Sequence, residues 1–348
     1  MTSSRPLLGL LLALLLMAGG QAHAALPSLS IDSANLQQPI ALAHSQRLED
    51  PDAHLSAAQA IAQLRSGGVR QQGNPRLGYS GSTWWIAFSL DNPSGEALSL
   101  VIDNPFVDNV QLWVSAPESS EPAALLAAGQ VGDLQPFNDR SEPYPNFILP
   151  LPTLETERVD VLLRINSSSA LNLPLAIVSA TSSKQLLVRS WLKSGLICGA
   201  LLIMALFHLA KFSTLRNRQL GYYCATLLSA TAYYSAILGP INLLWPHAPA
   251  VQTTVLNLAG AATLIFSTLF ICNLLVLREP LLLYLRNSLF VVIGLCAAPA
   301  VLGINDYRQQ QLINVIFLIN GLFQLSITLY GVKQRRPFAK PLLLLWSA

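Results

Sequence analysis

Two strand-like runs in this 348-residue chain each set a tryptophan against the apolar register of its neighbours. In Trp84-Trp85-Ile86-Ala87-Phe88-Ser89-Leu90, the side chains of Trp84, Ile86, Phe88 and Leu90 share one side of a strand and Trp85 takes the other. In Val110-Gln111-Leu112-Trp113-Val114, Trp113 likewise opposes Val110, Leu112 and Val114. An indole on an open face can stack on the apolar face of a sugar or another small molecule, while carboxylate or amide groups bond its hydroxyls. Asp103, Asn104 and Asp108 fall near strand ends, where such partners are needed. These five residues form the candidate ligand site. The competing arrangement packs the rings beneath a loop or beneath the helix that begins at Ser56.

Other chemistries find less support. Asp103, Asp108, Asp133 and Asp139 could offer oxygen ligands to calcium, but their spacing lacks the compact loop of an EF-hand, so no metal or cofactor is assigned. The chain has no HExxH, no CxxC and no phosphate-binding glycine loop, and Gly78-Tyr79-Ser80-Gly81-Ser82 misses the last glycine of a nucleophile elbow. His44 and His54 precede the first convincing strand and suit surface or capping roles. No catalytic residue is assigned.

The elements that must position the candidates follow from local pattern. Ser56-Ala57-Ala58-Gln59 has capping-box spacing, Ala57, Ile61 and Leu64 share a helical face, and Gly67-Gly68 stops the helix. Downstream the period becomes two, in the runs around Trp84, Leu98, Val110 and Val159. Asp91-Asn92-Pro93-Ser94-Gly95 and Asn104-Pro105 punctuate these runs as turns. Short strands broken in this way predict an all-β, jelly-roll-like sandwich over residues 25–183.

A different pattern begins near Lys184. Residues 25–189 hold 16 acidic and 9 basic side chains, whereas residues 190–348 hold 2 acidic and 11 basic. The overall charge of +3 averages two unlike halves and implies no nucleic-acid partner. Apolar runs cover Trp191–Ala210, Leu220–Trp245, Val251–Leu277, Ser288–Gly303 and Leu312–Val332, and another opens at Pro341. They predict an α-helical membrane domain over residues 184–348, with five complete spans and the start of a sixth. Eight residues from Pro341 to Ala348 cannot cross a bilayer, so the chain is read as stopping inside that span. Any output domain would follow it.

Orientation has two independent signals. Arg5, the apolar stretch Leu7–Met17 and Ala22-His23-Ala24 form a secretory signal peptide over residues 1–24. Lys211, Arg216, Arg218, Arg278, Arg286, Lys333, Arg335, Arg336 and Lys340 lie in alternate loops, against Arg308 in the others. The positive-inside rule then exports the first domain. All four cysteines, Cys198, Cys224, Cys272 and Cys296, lie in apolar runs, so the exported domain must stand without a disulfide. Gly195 and Gly199 form a GxxxG for close helix packing, within the bundle or between protomers, and a homodimer is expected. His208, Asn257, Asn273, Asn314, Asn320 and Gln324 are costly in lipid and should face other helices.

Taken in order, Trp84 to Pro93, Ile102-Asp103-Asn104-Pro105, Val110 to Val114, Asn146-Phe147 and Leu171-Asn172-Leu173-Pro174-Leu175 resemble the periplasmic sensor domain of a bacterial receptor family. That family is the seven-transmembrane receptors with diverse intracellular signalling modules, and the spans that follow resemble its membrane unit. The resemblance implies a jelly roll similar to carbohydrate-binding modules, placed in the periplasm and joined through inner-membrane helices to a diguanylate cyclase, histidine kinase or related domain. Two function classes follow from the sequence: a receptor for a small-molecule or saccharide ligand, and a multi-span transporter or channel with an exported β-domain. A transporter would carry inverted repeats and paired midplane charges, which the sequence does not clearly display.

Overall fold

A computed structural model describes residues 26–32, 36–93, 95–116, 125–152, 157–304 and 306–346. The expected signal peptide lies outside the described residues.

Strand β6 (Thr83–Asp91) organises the first domain, because its alternating side chains are buried on both faces. Around it a seven-stranded sheet takes the order β4 (Val69–Gln72), β3 (His44–Asp50), β6, β11 (Arg158–Asn166), β8 (Asn109–Ser115), β9 (Leu126–Val131). These pairings are antiparallel, and β1 (Ser28–Ser30) adds in parallel along the second half of β6, Ser28 opposite Ser89. A four-stranded sheet takes the order β10 (Phe147–Pro150), β7 (Leu98–Ile102), β13 (Leu175–Ser179), β2 (Ile40–Ala41). Strands β5 (Arg76–Gly78) and β12 (Leu171–Asn172) pair separately.

The two larger sheets close on one core. Ile86 and Phe88 of β6, with Val161 and Leu163 of β11, pack in the same cluster as Leu100, Ile102, Phe147, Leu149, Leu175 and Ile177 from the second sheet. The expected all-β sandwich is the observed architecture.

The outer face of the large sheet carries a second layer. Helix α1 (Ala57–Gly67) starts at a capping box in which the Ser56 side chain accepts from the Gln59 N–H and the Gln59 side chain accepts from the Ser56 N–H. Its Ala60, Ile61 and Leu64 cover Trp85, Ala87 and Leu162. Arg65 pins the helix by donating to Asp160 Oδ2 at 2.6 Å, while Ser89 Oγ donates to Asp160 Oδ1 at 2.6 Å. Asp160 is buried, so removing either donor would leave a desolvated carboxylate short of partners.

Ser179 ends β13 and caps α2 (Ala180–Leu215), so a sheet strand enters the membrane domain without a linker. At about 1.5 Å per residue, the 36 residues of α2 exceed the roughly 20 that a bilayer requires. The surplus first turns lie against the second sheet, where Leu186 and Leu187 meet Val101, Tyr144, Ile148 and Val178. The bundle continues with α3 (Arg218–Leu238), the short α4 (Pro240–Leu244), α5 (Pro249–Leu274), α6 (Pro280–Val301), α7 (Tyr307–Lys333) and α8 (Ala339–Trp346). Helices α2, α5, α6 and α7 are long and apolar enough to cross a membrane.

Three details depart from the expected spans. Helix α3 is too rich in hydroxyl side chains to join those four by composition, and it packs between α2 and α5. The predicted run to Trp245 breaks at Gly239, whose φ of 95° is costly for any residue with a Cβ, and Pro240 then restarts the chain as α4. Helix α6 begins at Pro280, eight residues before the apolar run, because the polar Arg286-Asn287-Ser288 step does not interrupt its backbone.

The basic-poor loops face the sandwich. The Phe137 N–H donates to Pro246 O at 2.8 Å, and Gly81 lies against the Tyr307 ring. Reporter fusions at Pro249 and Tyr307 should therefore give an exported phenotype, and fusions at Asn217 and Arg336 a cytoplasmic one. A cytoplasmic signal from Pro249 would reverse the orientation.

Candidate functional site

The five sequence candidates separate into two places. Trp85 and Trp113 do share the outer face of the large sheet, with ring centroids 5.7 Å apart, as their registers predict. That face is not open. Trp85 is 1% exposed beneath α1, so it cannot offer a free ring face to a sugar, and Trp113 packs half-buried against the same cluster. The Trp85 Nε1 donates to Asp50 Oδ2 at 3.2 Å, and the Arg164 guanidinium lies 5.8 Å from the ring centroid. Burial pushes the Asp50 carboxyl up, but N–H donors from Leu55, the Trp85 ring and His54 outweigh it and hold the group below its usual value. This pair of indoles is a packed layer.

The polar candidates lie at the other place, on the loops that follow β7. Asp103 accepts from the Asn146 Nδ2. Asn104 donates to Ala170 O and Asn172 O and accepts from the Phe106 N–H, which makes it a loop clamp. Asp108 accepts from the Ser168 N–H at 2.9 Å and from the hydroxyls of Ser167 and Ser168. Near it, burial and the Asp108 charge raise the Asp133 carboxyl to about 7, against the opposing pull of Arg140.

Arg140 builds the segment that seats on the membrane domain. Its Nη1 donates to the carbonyl oxygens of Tyr144, Pro145 and Asn146 at 3.0, 3.0 and 3.3 Å. The guanidinium also lies 4.9 Å from the Phe137 ring centroid and 4.6 Å from that of Phe147. Burial lowers Arg140 to about 10, partly offset by Asp133, so it stays charged at neutral pH. The shaped segment then meets the bundle: Trp191 Nε1 of α2 donates to Pro143 O at 2.8 Å, and Pro145 packs on Gly239.

Between these loops and the helix ends lies a cavity of about 200 Å³. Tyr79, Asn104, Phe106 and Ser169 wall it from the sandwich, and Tyr233, Asn257, Gln310, Asn314 and Phe317 from α3, α5 and α7. Asn314 Nδ2 and the Tyr79 hydroxyl bond directly across the junction. Gly260 lets two rings close beside it, since a Cβ there would come within 3.0 Å of Phe317 and 3.2 Å of Tyr233.

From the cavity, α7 carries an amide-bearing face through the bundle. Gln310 and Asn314 stand four apart, as do Asn320 and Gln324 further along the helix. Thr268 Oγ1 of α5 donates to Asn320 Oδ1 at 3.0 Å, and Gln324 Nε2 donates to Ser267 and Thr268 at 2.9 Å. At the far end Arg336 donates to Glu279 Oε1 at 2.6 Å, and the Tyr330 hydroxyl donates to the same oxygen at 3.1 Å. Of the polar residues expected to face other helices, Asn257, Asn320 and Gln324 are buried in the bundle, whereas Asn273 and Asn314 are exposed and Asn314 meets Tyr79 of the sandwich instead; Tyr79, Arg140 and Gln310 are not among the sequence candidates. The amide spacing on α7 was the available signal for Gln310; Tyr79 and Arg140 gain meaning only from loops brought together by the fold.

Two measurements test this assignment. Trp85→Ala should cost about 3–5 kcal/mol of stability, and Trp84→Ala and Trp113→Ala less, because both of those rings are only half-buried. Denaturant melts of the three variants give the ranking, and a Trp85→Ala loss within error of zero would contradict the packed layer. For Asp133 the folded value lies above the ordinary 3.8, so the folded protein holds a proton that the unfolded chain has lost, and stability falls as pH rises from about 4 through about 7. The linkage limit is about 4 kcal/mol. Asp133→Asn should flatten that decline and raise the melting temperature at pH 8 more than at pH 5, and equal shifts at both would refute it.

Comparison with known proteins places both halves. The family model described as 7TMR-DISM extracellular 2 matches residues 43–179, and the model described as 7TM diverse intracellular signalling matches residues 190–348. No curated protein matches the chain. A sandwich seated on a helical bundle, with each part matching its own model in the same order, makes this chain a member of the seven-transmembrane receptor family with diverse intracellular signalling modules.

Proposed function

We propose that the sandwich senses a small-molecule or saccharide ligand in the periplasm of a bacterium and transmits its state through inner-membrane helices to a cytoplasmic output domain. The observation that carries this reading is the direct passage of β13 into α2, with the first turns of α2 packed on the second sheet. Any displacement of that sheet must move a membrane helix, because no loop lies between them to absorb it. The bond between Tyr79 and Asn314 gives the sandwich a second hold, on α7, whose amide face leads toward the Glu279 and Arg336 pair. Signalling then consists of a ligand-dependent shift between two arrangements of α2 and α7.

The remaining parts of the reading rest on the family. The family's diverse intracellular signalling supports a diguanylate cyclase or histidine kinase as the output partner. We assign Asp103, Asn104 and Asp108 to the ligand-responsive loops, as the groups that shape the sandwich end nearest the bundle. A signal peptide directs export, and a second copy of the chain is the assembly partner. Gly195 and Gly199 support that last choice, since among the described residues nothing outside the local helix backbone stands within 4 Å of a Cβ built on either.

Spin labels at positions 216 and 333, in the full chain embedded in a bilayer, report the spacing of the cytoplasmic ends of α2 and α7. Asn314→Leu, which deletes the bond to Tyr79, should shift the ratio of two distance populations by roughly fivefold or more, the scale of ordinary coupling between sites. Superimposable distributions in wild type and variant would refute transmission through this contact.

A further inference from the structure

Two buried amides of the bundle, Asn242 and Asn257, have a donor left over among the described residues. Asn257 of α5 is 5% exposed, and its Nδ2 has no hydrogen-bond partner among the described residues. A buried donor without an acceptor is disfavoured unless something supplies one. Asn257 stands in the wall of the junction cavity and also borders a small apolar notch behind it, formed with Ile293, Ala297 and Ile316.

The chemistry of the walls restricts what could fill that role. Among the described residues none that lines the cavity is charged, so a carboxylate, phosphate or ammonium group would be desolvated with no counter-charge. Tyr233 and Phe317 contribute a stacked pair with centroids 5.9 Å apart and planes at 27°, a broad apolar surface beside the amide. Two of the other amides are already engaged: Asn314 with Tyr79, and Asn104 with Ala170, Asn172 and Phe106. A pyranose would bury several hydroxyls against walls to which Tyr233, Ile237, Leu256, Ile313 and Phe317 contribute mostly apolar surface. Size points the same way, because an apolar cavity of about 150 Å³ takes up benzene. A cavity of about 200 Å³ accommodates one ring and a short polar substituent.

We propose that the junction cavity binds a neutral, single-ring compound through one hydrogen-bond acceptor presented to the Asn257 amide. Such an occupant touches α3, α5, α7 and the sandwich loops at once, so it stabilises the arrangement in which the sandwich is seated on the bundle. The inference goes beyond the receptor reading, because it holds whether or not the exported domain takes another ligand elsewhere. Its test reads binding alone, whereas the receptor reading is tested by helix spacing.

The probe is benzamide, titrated onto the full chain in phosphatidylcholine nanodiscs and followed by saturation-transfer NMR against empty nanodiscs. Saturable binding is expected, with benzoate and glucose each weaker by about tenfold or more, the ratio set by a lost or unsatisfied polar contact. Asn257→Leu, similar in size but without the donor, should weaken benzamide about tenfold. Ile237 of α3 lines the cavity, so Ile237→Trp, which fills it and leaves the amide in place, should abolish binding, and decides the matter should Asn257→Leu fail to fold. A benzamide signal no larger than that of empty nanodiscs, or one unchanged in both variants, overturns the proposal. Equal competition by benzoate or glucose overturns the ligand class.

Discussion

The seat of the sandwich on the bundle depends on one guanidinium. The segment that carries Phe137, Pro143 and Pro145 has little regular structure of its own, so its carbonyl groups need partners that a sheet or helix would otherwise provide. Arg140 supplies three of them from a single nitrogen and occupies the space between two phenylalanine rings as well. Lysine could not replace it, because a point charge cannot lie flat between rings while donating in a fixed plane. Burying this cation is costly, and the neighbouring Asp133 is too protonated near neutrality to neutralise it fully. The cost is carried by the rings and carbonyls, which ties the charge to a single loop shape.

The sequence displayed the strands well and their coverings poorly. Period-two alternation assigned Trp84 and Trp85 to opposite faces of β6, and that assignment holds. What alternation cannot tell is whether the second face meets water, since a half-buried strand and a helix-covered one share the same local pattern. The capping box at Ser56 announced a helix, but its landing site is fixed by the bond between Arg65 and Asp160, groups 95 residues apart. The same limit applies to Asp103, Asn104 and Asp108, which look like ligand groups in sequence and are engaged by Asn146, by loop backbone and by Ser167 and Ser168 in the fold. The membrane helices were more legible, because length and loop charge are properties of single segments. Their internal bonds were visible only as isolated polar residues.

Those bonds follow from the solvent. In lipid an amide has no water to turn to, so Asn320, Gln324 and Thr268 satisfy one another between α5 and α7. Each such bond also fixes the axial register of the two helices, because a slide of one residue would strand both partners. Apolar packing alone would tolerate that slide more readily. The bundle is thus specified by few contacts.

The order of the strands also constrains how the domain can be made. Strand β13 lies between β7 and β2, and its last residue caps the first membrane helix. Strand β1, near the start, pairs with β6, about sixty positions later. A chain threaded outward from its N-terminus therefore reaches the extracellular side with its early strands lacking neighbours, and the second sheet cannot close until α2 is already at the membrane. Completion of the exported domain and arrest of its translocation become one event. The unfinished sandwich must wait with open strand edges for the span that halts it, which makes the interval before α2 the stage most exposed to aggregation.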